Sequence, residues 1–103
     1  MMMDNQEITQ SSVFEKQTDI VHREIAGEHL LVPIRGQLAD MQRIFALNPV
    51  ADFIWERIDG AATVKAISNA VEADFDTDAA QAAADVSALI AELCDAGLVV
   101  RVR

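Results

Sequence analysis

At Asn48-Pro49 the chain changes period, and this change limits the folds open to it more than any other feature. Asparagine is a strong helix cap, and the fixed φ of proline suits the first helical position. Val50, Phe53, Ile54, Arg57 and Ile58 then follow at helical spacing as far as Asp59-Gly60. Thr63 is placed to cap a second helix with an inward face of Val64, Ile67, Ala70 and Val71, ending near Phe75. Asp76-Thr77-Asp78, with Gln81 three residues beyond Asp78, offers overlapping caps for a third and longer helix that runs to Ala96 and is closed by Gly97. Leu98-Val99-Val100 is extended again.

Before Asn48 the pattern is that of short strands. Ile20 to Ile25 and the apolar run His29 to Ile34 flank a turn containing Gly27, which predicts a β-hairpin. Pro33 has no N–H to give to a ladder and belongs at the end or edge of its strand. Arg35-Gly36-Gln37 starts a loop, and Arg43-Ile44-Phe45-Ala46-Leu47 predicts a third strand. Residues 1–17 are mostly polar without sustained period and are expected to form a mobile N-terminal tail. Residues 18–103 then make one α+β domain of winged helix-turn-helix type, a three-stranded antiparallel sheet followed by three helices.

A chain of 103 residues supports a single core. Hydrophobic residues make up 51% of it but aromatics only 5%, so aliphatic side chains and close helix contacts must fill that core. No apolar stretch is long enough to span a membrane, and Met1 to Lys16 lacks the basic flank and apolar run of a signal peptide. A lone cysteine, Cys94, fits a reducing compartment, and the expected location is cytoplasmic. The formal charge is −9, and Asn48 to Val100 holds ten acidic residues against Arg57 and Lys65 alone. Such a surface keeps a small protein soluble and repels nucleic acid.

On a helical wheel the third helix separates into three faces. Ala82, Val86, Leu89, Ile90 and Leu93 form a core stripe, and Gln81, Asp85 and Glu92 lie along one flank. Ala80, Ala83, Ser87, Ala91 and Cys94 form a second flank of small uncharged side chains. Either another part of the fold covers this second flank or it lines a groove.

Catalytic chemistry is not evident. His22 and His29 stand in strands on either side of a turn, with no cysteine or acidic cluster beside them at metal-ligand spacing, so no metal site and no cofactor is expected. Cys94 has no local general base, and Trp55 belongs to the core. Asp74, Asp76 and Asp78 lack the glycine and terminal glutamate of a calcium loop and serve better as caps.

The segment Leu47-Asn48-Pro49-Val50-Ala51-Asp52-Phe53-Ile54-Trp55, closed by Ile58-Asp59-Gly60, resembles the PqqD-family pattern L-N-x-x-A-x-x-I-W followed by D-G. Thr63-Val64 with Ile67, the Phe75-Asp76 turn, and Asp85-Val86, Leu89-Ile90, Leu93 and Ala96-Gly97-Leu98-Val99 are similar to the rest of that pattern, in order and in spacing. The resemblance covers about residues 20 to 100. It implies a non-catalytic RiPP recognition element, a peptide chaperone that binds the leader of a ribosomal precursor peptide and presents it to a modifying enzyme such as a radical-SAM enzyme. Val32-Pro33-Ile34-Arg35-Gly36 departs from the P-E that usually follows the second strand in members serving pyrroloquinoline quinone (PQQ), so the pathway stays open between PQQ and another modified peptide.

In that family the leader adds a strand to the sheet edge and lies beside the third helix. Carried onto this chain, the edge is Arg43, Ile44, Phe45 and Ala46, and the groove wall is Ala83, Ser87, Ala91 and Cys94 with Ile90 at its base. Asp85 and Glu92 are available to pair with a basic leader residue. The rival readings are a winged-helix DNA-binding regulator, disfavoured because its reader helix offers only Lys65 against Glu72 and Asp74, and a structural oligomeric subunit. Monomer and dimer both remain open, with exchange of the N-terminal hairpin as one route to a dimer.

Overall fold

The computed structural model describes residues 8–34 and 44–102. In chain order the elements are β1 (Val13–Lys16), β2 (Ile20–Ile25), β3 (Glu28–Pro33), β4 (Phe45–Leu47), α1 (Pro49–Arg57), α2 (Val64–Phe75), α3 (Ala79–Asp95) and β5 (Val99–Val102). Strands β2, β3 and β4 form the three-stranded antiparallel sheet in that spatial order, and the three helices follow it. The α+β architecture anticipated from the change of period is therefore the observed one.

All three helices start on the expected caps. Asn48 Oδ1 accepts from the Ala51 amide at 2.8 Å, Thr63 Oγ1 from the Ala66 amide at 3.1 Å, and Asp78 Oδ1 from the Gln81 amide at 2.7 Å. Each bond satisfies an N–H that has no partner in the first helical turn. At the far end of α3, Gly97 takes φ +78°, and the Leu98 amide reaches back to the Leu93 carbonyl at 2.9 Å. This left-handed closure suits a residue without a Cβ and turns the chain into β5.

The hairpin joining β2 and β3 has Ala26 and Gly27 as its two loop residues, both with positive φ, at +53° and +85°. Two positive φ values are what a tight hairpin turn requires to match the strand twist. In the resulting register His22 lies opposite Leu31 and Glu24 opposite His29. Both histidines thus share the helix-facing side of the sheet with Leu31, which has no exposed surface.

Helix α1 buries Ala51, Ile54 and Trp55, and Trp55 is a core residue as expected. The stripe Ala82, Val86, Leu89, Ile90 and Leu93 is buried along α3. Helix α2 buries Val64, Ile67 and Val71, with Ser68 in place of the expected Ala70 as the fourth inward residue. Phe53 and Phe75 meet edge to face, with centroids 5.0 Å apart, at the seam between α1 and α2.

A correction concerns the N-terminal stretch. Val13–Lys16, inside the expected tail, forms β1 and pairs antiparallel with β5, so that Val13 faces Val102 and Lys16 faces Val99. Phe14 is buried, its carbonyl accepts from the Gly60 amide at 3.0 Å, and the Ser12 carbonyl accepts from the Val64 amide at 2.9 Å. The reason is long-range pairing: four residues carry no readable period, and their partner strand lies at the opposite end of the sequence. The segment from Ile8 to Gln17 thus belongs to the folded unit, while residues 1–7 lie outside the described part.

Candidate functional site

Strand β4 is the edge of the three-stranded sheet. It pairs with β3 through His29↔Leu47, Leu30↔Ala46 and Leu31↔Phe45, and no other described strand joins it. Leu47 is buried and Phe45 half-buried on the helix side, whereas Ala46 is exposed and Ile44, just before the strand, is 61% exposed. An edge of this kind offers unpaired backbone N–H and C=O groups to an added strand. Of the four edge residues named from sequence, Ile44, Phe45 and Ala46 stand at this edge, and Arg43 lies outside the described residues.

Where β4 ends, Asn48 caps α1, and an open cleft of about 260 Å³ lies between the start of α1 and the middle of α3. Val50, Ala51, Ile54 and Leu89 give it an apolar floor, and Asn48, Asp85 and Glu92 give it a polar rim with Ala88 between them. Asp85 and Glu92 are seven residues apart, two helical turns, and so share one face of α3. Gln81 Nε2 donates to Asp85 Oδ1 at 2.8 Å and fixes that carboxylate. Two acids over an apolar floor suit a ligand that brings both a cation and an apolar side chain.

This cleft is bordered by the acidic flank of α3, Asp85 and Glu92, and not by the small-residue flank. Ala83, Ser87, Ile90, Ala91 and Cys94 do not line this cleft. Ile90 has no exposed surface and is part of the core. Ala83, Ser87 and Cys94 are half-buried and Ala91 is exposed on the other side of the helix. The wheel separated these flanks, but which of them meets α1 depends on the corner made by β4 and Asn48. Burial pushes the Cys94 thiol above its ordinary range, with Arg101 of β5 pulling the other way. A thiol kept protonated is a poor nucleophile.

One cluster was missed from sequence. His22 Nε2 lies 2.8 Å and His29 Nδ1 3.3 Å from the same oxygen, Asp52 Oδ1, and Glu56 Oε2 lies 3.5 Å from His22 Nδ1. The acidic partner that the two histidines lacked in sequence is supplied by the first turn of α1, folded over the hairpin. The only local signal was that His22 and His29 come onto one face once a two-residue turn fixes the register.

Among the described residues no helix is long and apolar enough to cross a membrane. No curated protein matches the chain. Three solved structures share the fold. One is a lasso peptide synthetase B1 complexed with the leader peptide, at TM-score 0.71 and 16% identity over 84% of this chain and 96% of that one. Another is TbiB1 in complex with the TbiA(beta) leader peptide, at TM-score 0.67 and 19% identity over 82% and 93%. The third is the solution structure of the PqqD truncation of Methylobacterium extorquens PqqCD, described as a functional, stand-alone RiPP recognition element. It aligns at TM-score 0.75 and 23% identity, over 96% of this chain and all of that one. The model of the family described as coenzyme PQQ synthesis protein D matches residues 28–99, from the second strand of the hairpin into the last strand, and this chain belongs to the PqqD family.

Proposed function

We propose that this protein is a RiPP recognition element that binds the leader of a ribosomal precursor peptide and hands its core to a modifying enzyme, without chemistry of its own. The observation that carries the reading is the open edge of β4 running directly into the acidic-rimmed cleft at Asn48. An added strand along Ile44 to Leu47 would gain main-chain hydrogen bonds, and its continuation would place one apolar side chain on Ile54 and Leu89 and a basic one between Asp85 and Glu92. Family membership and the leader-bound state of two solved structures with this fold support the same reading. The partner is a peptide-modifying enzyme, a radical-SAM enzyme being one candidate, in the cytoplasm, in PQQ or another modified-peptide pathway. Helix α2, at the position of a DNA reader, carries Lys65 as its sole cation, so a role on DNA is not favoured.

Fluorescence anisotropy with labelled leaders encoded beside this protein tests the proposal. A neighbouring leader should bind in the micromolar range or tighter, with new protection of the amides of Ile44 to Leu47. Reversing both acids, Asp85→Lys with Glu92→Lys, should weaken binding by about tenfold or more. Ala91→Trp separates the two flanks: it leaves binding intact if the acidic flank is the wall and blocks it if the small-residue flank is. No binding by any neighbouring peptide, with those amides unprotected, would refute the role.

A further inference from the structure

We propose that His22, His29 and Asp52 form a binding site for one divalent ion of the zinc class, with Glu56 orienting His22. This goes beyond leader recognition and does not depend on it. One candidate donor from each residue lies within 4.8 Å of the other two, and the two imidazole rings are tilted at 34° with centroids 5.4 Å apart. A tetrahedral zinc ion with bonds of about 2.0–2.2 Å holds its ligand atoms roughly 3.4 Å apart. The 3.3 Å between His29 Nδ1 and Asp52 Oδ1 already fits that edge, and the 2.8 Å between His22 Nε2 and Asp52 Oδ1 needs a small ring movement to open.

The alternative is a histidine–carboxylate ion pair, and here distance and direction disagree. His22 Nε2 is 2.8 Å from the carboxylate oxygen, yet neither atom makes a hydrogen bond. His29 Nδ1 is likewise unpartnered. A short distance alone does not make the bond, since a hydrogen bond weakens steeply off axis. All three atoms are individually shielded from solvent, although their side chains are 19–29% exposed. Three shielded donor atoms close together, none with a hydrogen-bond partner, have the make-up of a ligand set.

The surroundings agree. All three residues stand on rigid elements: the histidines are diagonal neighbours across β2 and β3, and the Asp52 amide bonds the Asn48 carbonyl at 2.8 Å in the first turn of α1. Glu56, one turn beyond Asp52, stands 3.5 Å from the second nitrogen of His22, the position from which a carboxylate fixes a metal-bound imidazole. Two imidazoles with one carboxylate select zinc and its neighbours over magnesium or calcium, which prefer oxygen donors. The bound ion would tie the hairpin to α1, leaving a fourth position for water.

The test uses the full chain, stripped with a chelator and titrated with zinc sulfate by calorimetry, with long-range ¹H–¹⁵N spectra of the imidazoles recorded in parallel. Expected are one ion per chain at micromolar affinity or tighter, coordination shifts at His22 Nε2 and His29 Nδ1, and a Tm raised by several degrees. His22→Ala and His29→Ala should each weaken zinc binding by more than tenfold, and Glu56→Gln by about tenfold with an unchanged circular dichroism spectrum. If an alanine variant does not fold, the imidazole shifts of the unaltered chain decide. No heat and no shift at millimolar zinc would overturn the proposal in favour of an ion pair, as would equal affinity in folded His29→Ala.

Discussion

His29 lies directly opposite Leu47 in the β3–β4 ladder while its ring reaches Asp52 of α1, so one residue joins the edge strand to the helix that follows it. Cross-strand pairs contribute about 0.2–1 kcal/mol. His29→Ala should therefore loosen the end of β4 selectively, speeding amide exchange at Ala46 and Leu47 by about 1.5- to 5-fold. Amides in the middle of α3 should exchange at their parent rates. Uniform acceleration across the chain would show instead that the residue supports the whole core.

Ala26 occupies the left-handed region at φ +53°, where an alanine side chain crowds its own backbone. Asparagine tolerates that conformation, and Asn-Gly is a favoured pair for this turn. Ala26→Asn should stabilise the protein by about 0.5–1 kcal/mol, raising Tm by roughly 2–8 °C in a thermal melt. The next position behaves oppositely. Gly27 has open space around it, so Gly27→Ala would lose stability through backbone strain rather than through a clash.

Ser68 is buried on the inward face of α2, and its hydroxyl has no hydrogen-bond partner among the described residues. A buried polar atom left without a partner costs free energy that an apolar replacement recovers. Ser68→Ala should be neutral or stabilising by up to about 1 kcal/mol in urea denaturation, with an unchanged slope. A loss of more than that would reveal a partner for the hydroxyl in solution.

Asp59 accepts hydrogen bonds from the Ala61 and Ala62 amides, both at 2.9 Å, after α1 ends. Chiefly the Ala62 amide, then that of Ala61, draws its carboxyl below the ordinary value of 3.8. A carboxyl depressed in the folded state contributes stability above its unfolded value and loses it as pH falls through the folded one. Asp59→Asn should hence flatten the stability profile on the acid side, below about pH 5, while Tm differences at neutral pH stay constant with pH. Parallel profiles for the two proteins in acid would rule the linkage out.

What could be read from the sequence was local. Asn48, Thr63 and Asp78 announce helix starts because a cap acts on an amide only three residues away, and Gly97 announces a helix end for a similar reason. The core stripe of α3 follows from its period alone. Contacts that close over long separations were not readable. Val13–Lys16 becomes a strand because β5 accepts it, Asp52 meets the two histidines because α1 folds over the hairpin, and the acidic flank borders the cleft because Asn48 turns the chain toward α3. Each is a choice among faces or partners that periodicity leaves equal.

The pairing of β1 with β5 makes the domain nearly circular. Val13 and Val102 sit side by side, so whatever precedes the first strand and whatever follows the last depart from one corner of the molecule. A short linker would join the two ends, and the chain could be reopened at another surface turn as a circular permutant with the same core. The same geometry would suit insertion of the unit, with residues 8–12 kept, into a surface loop of another protein.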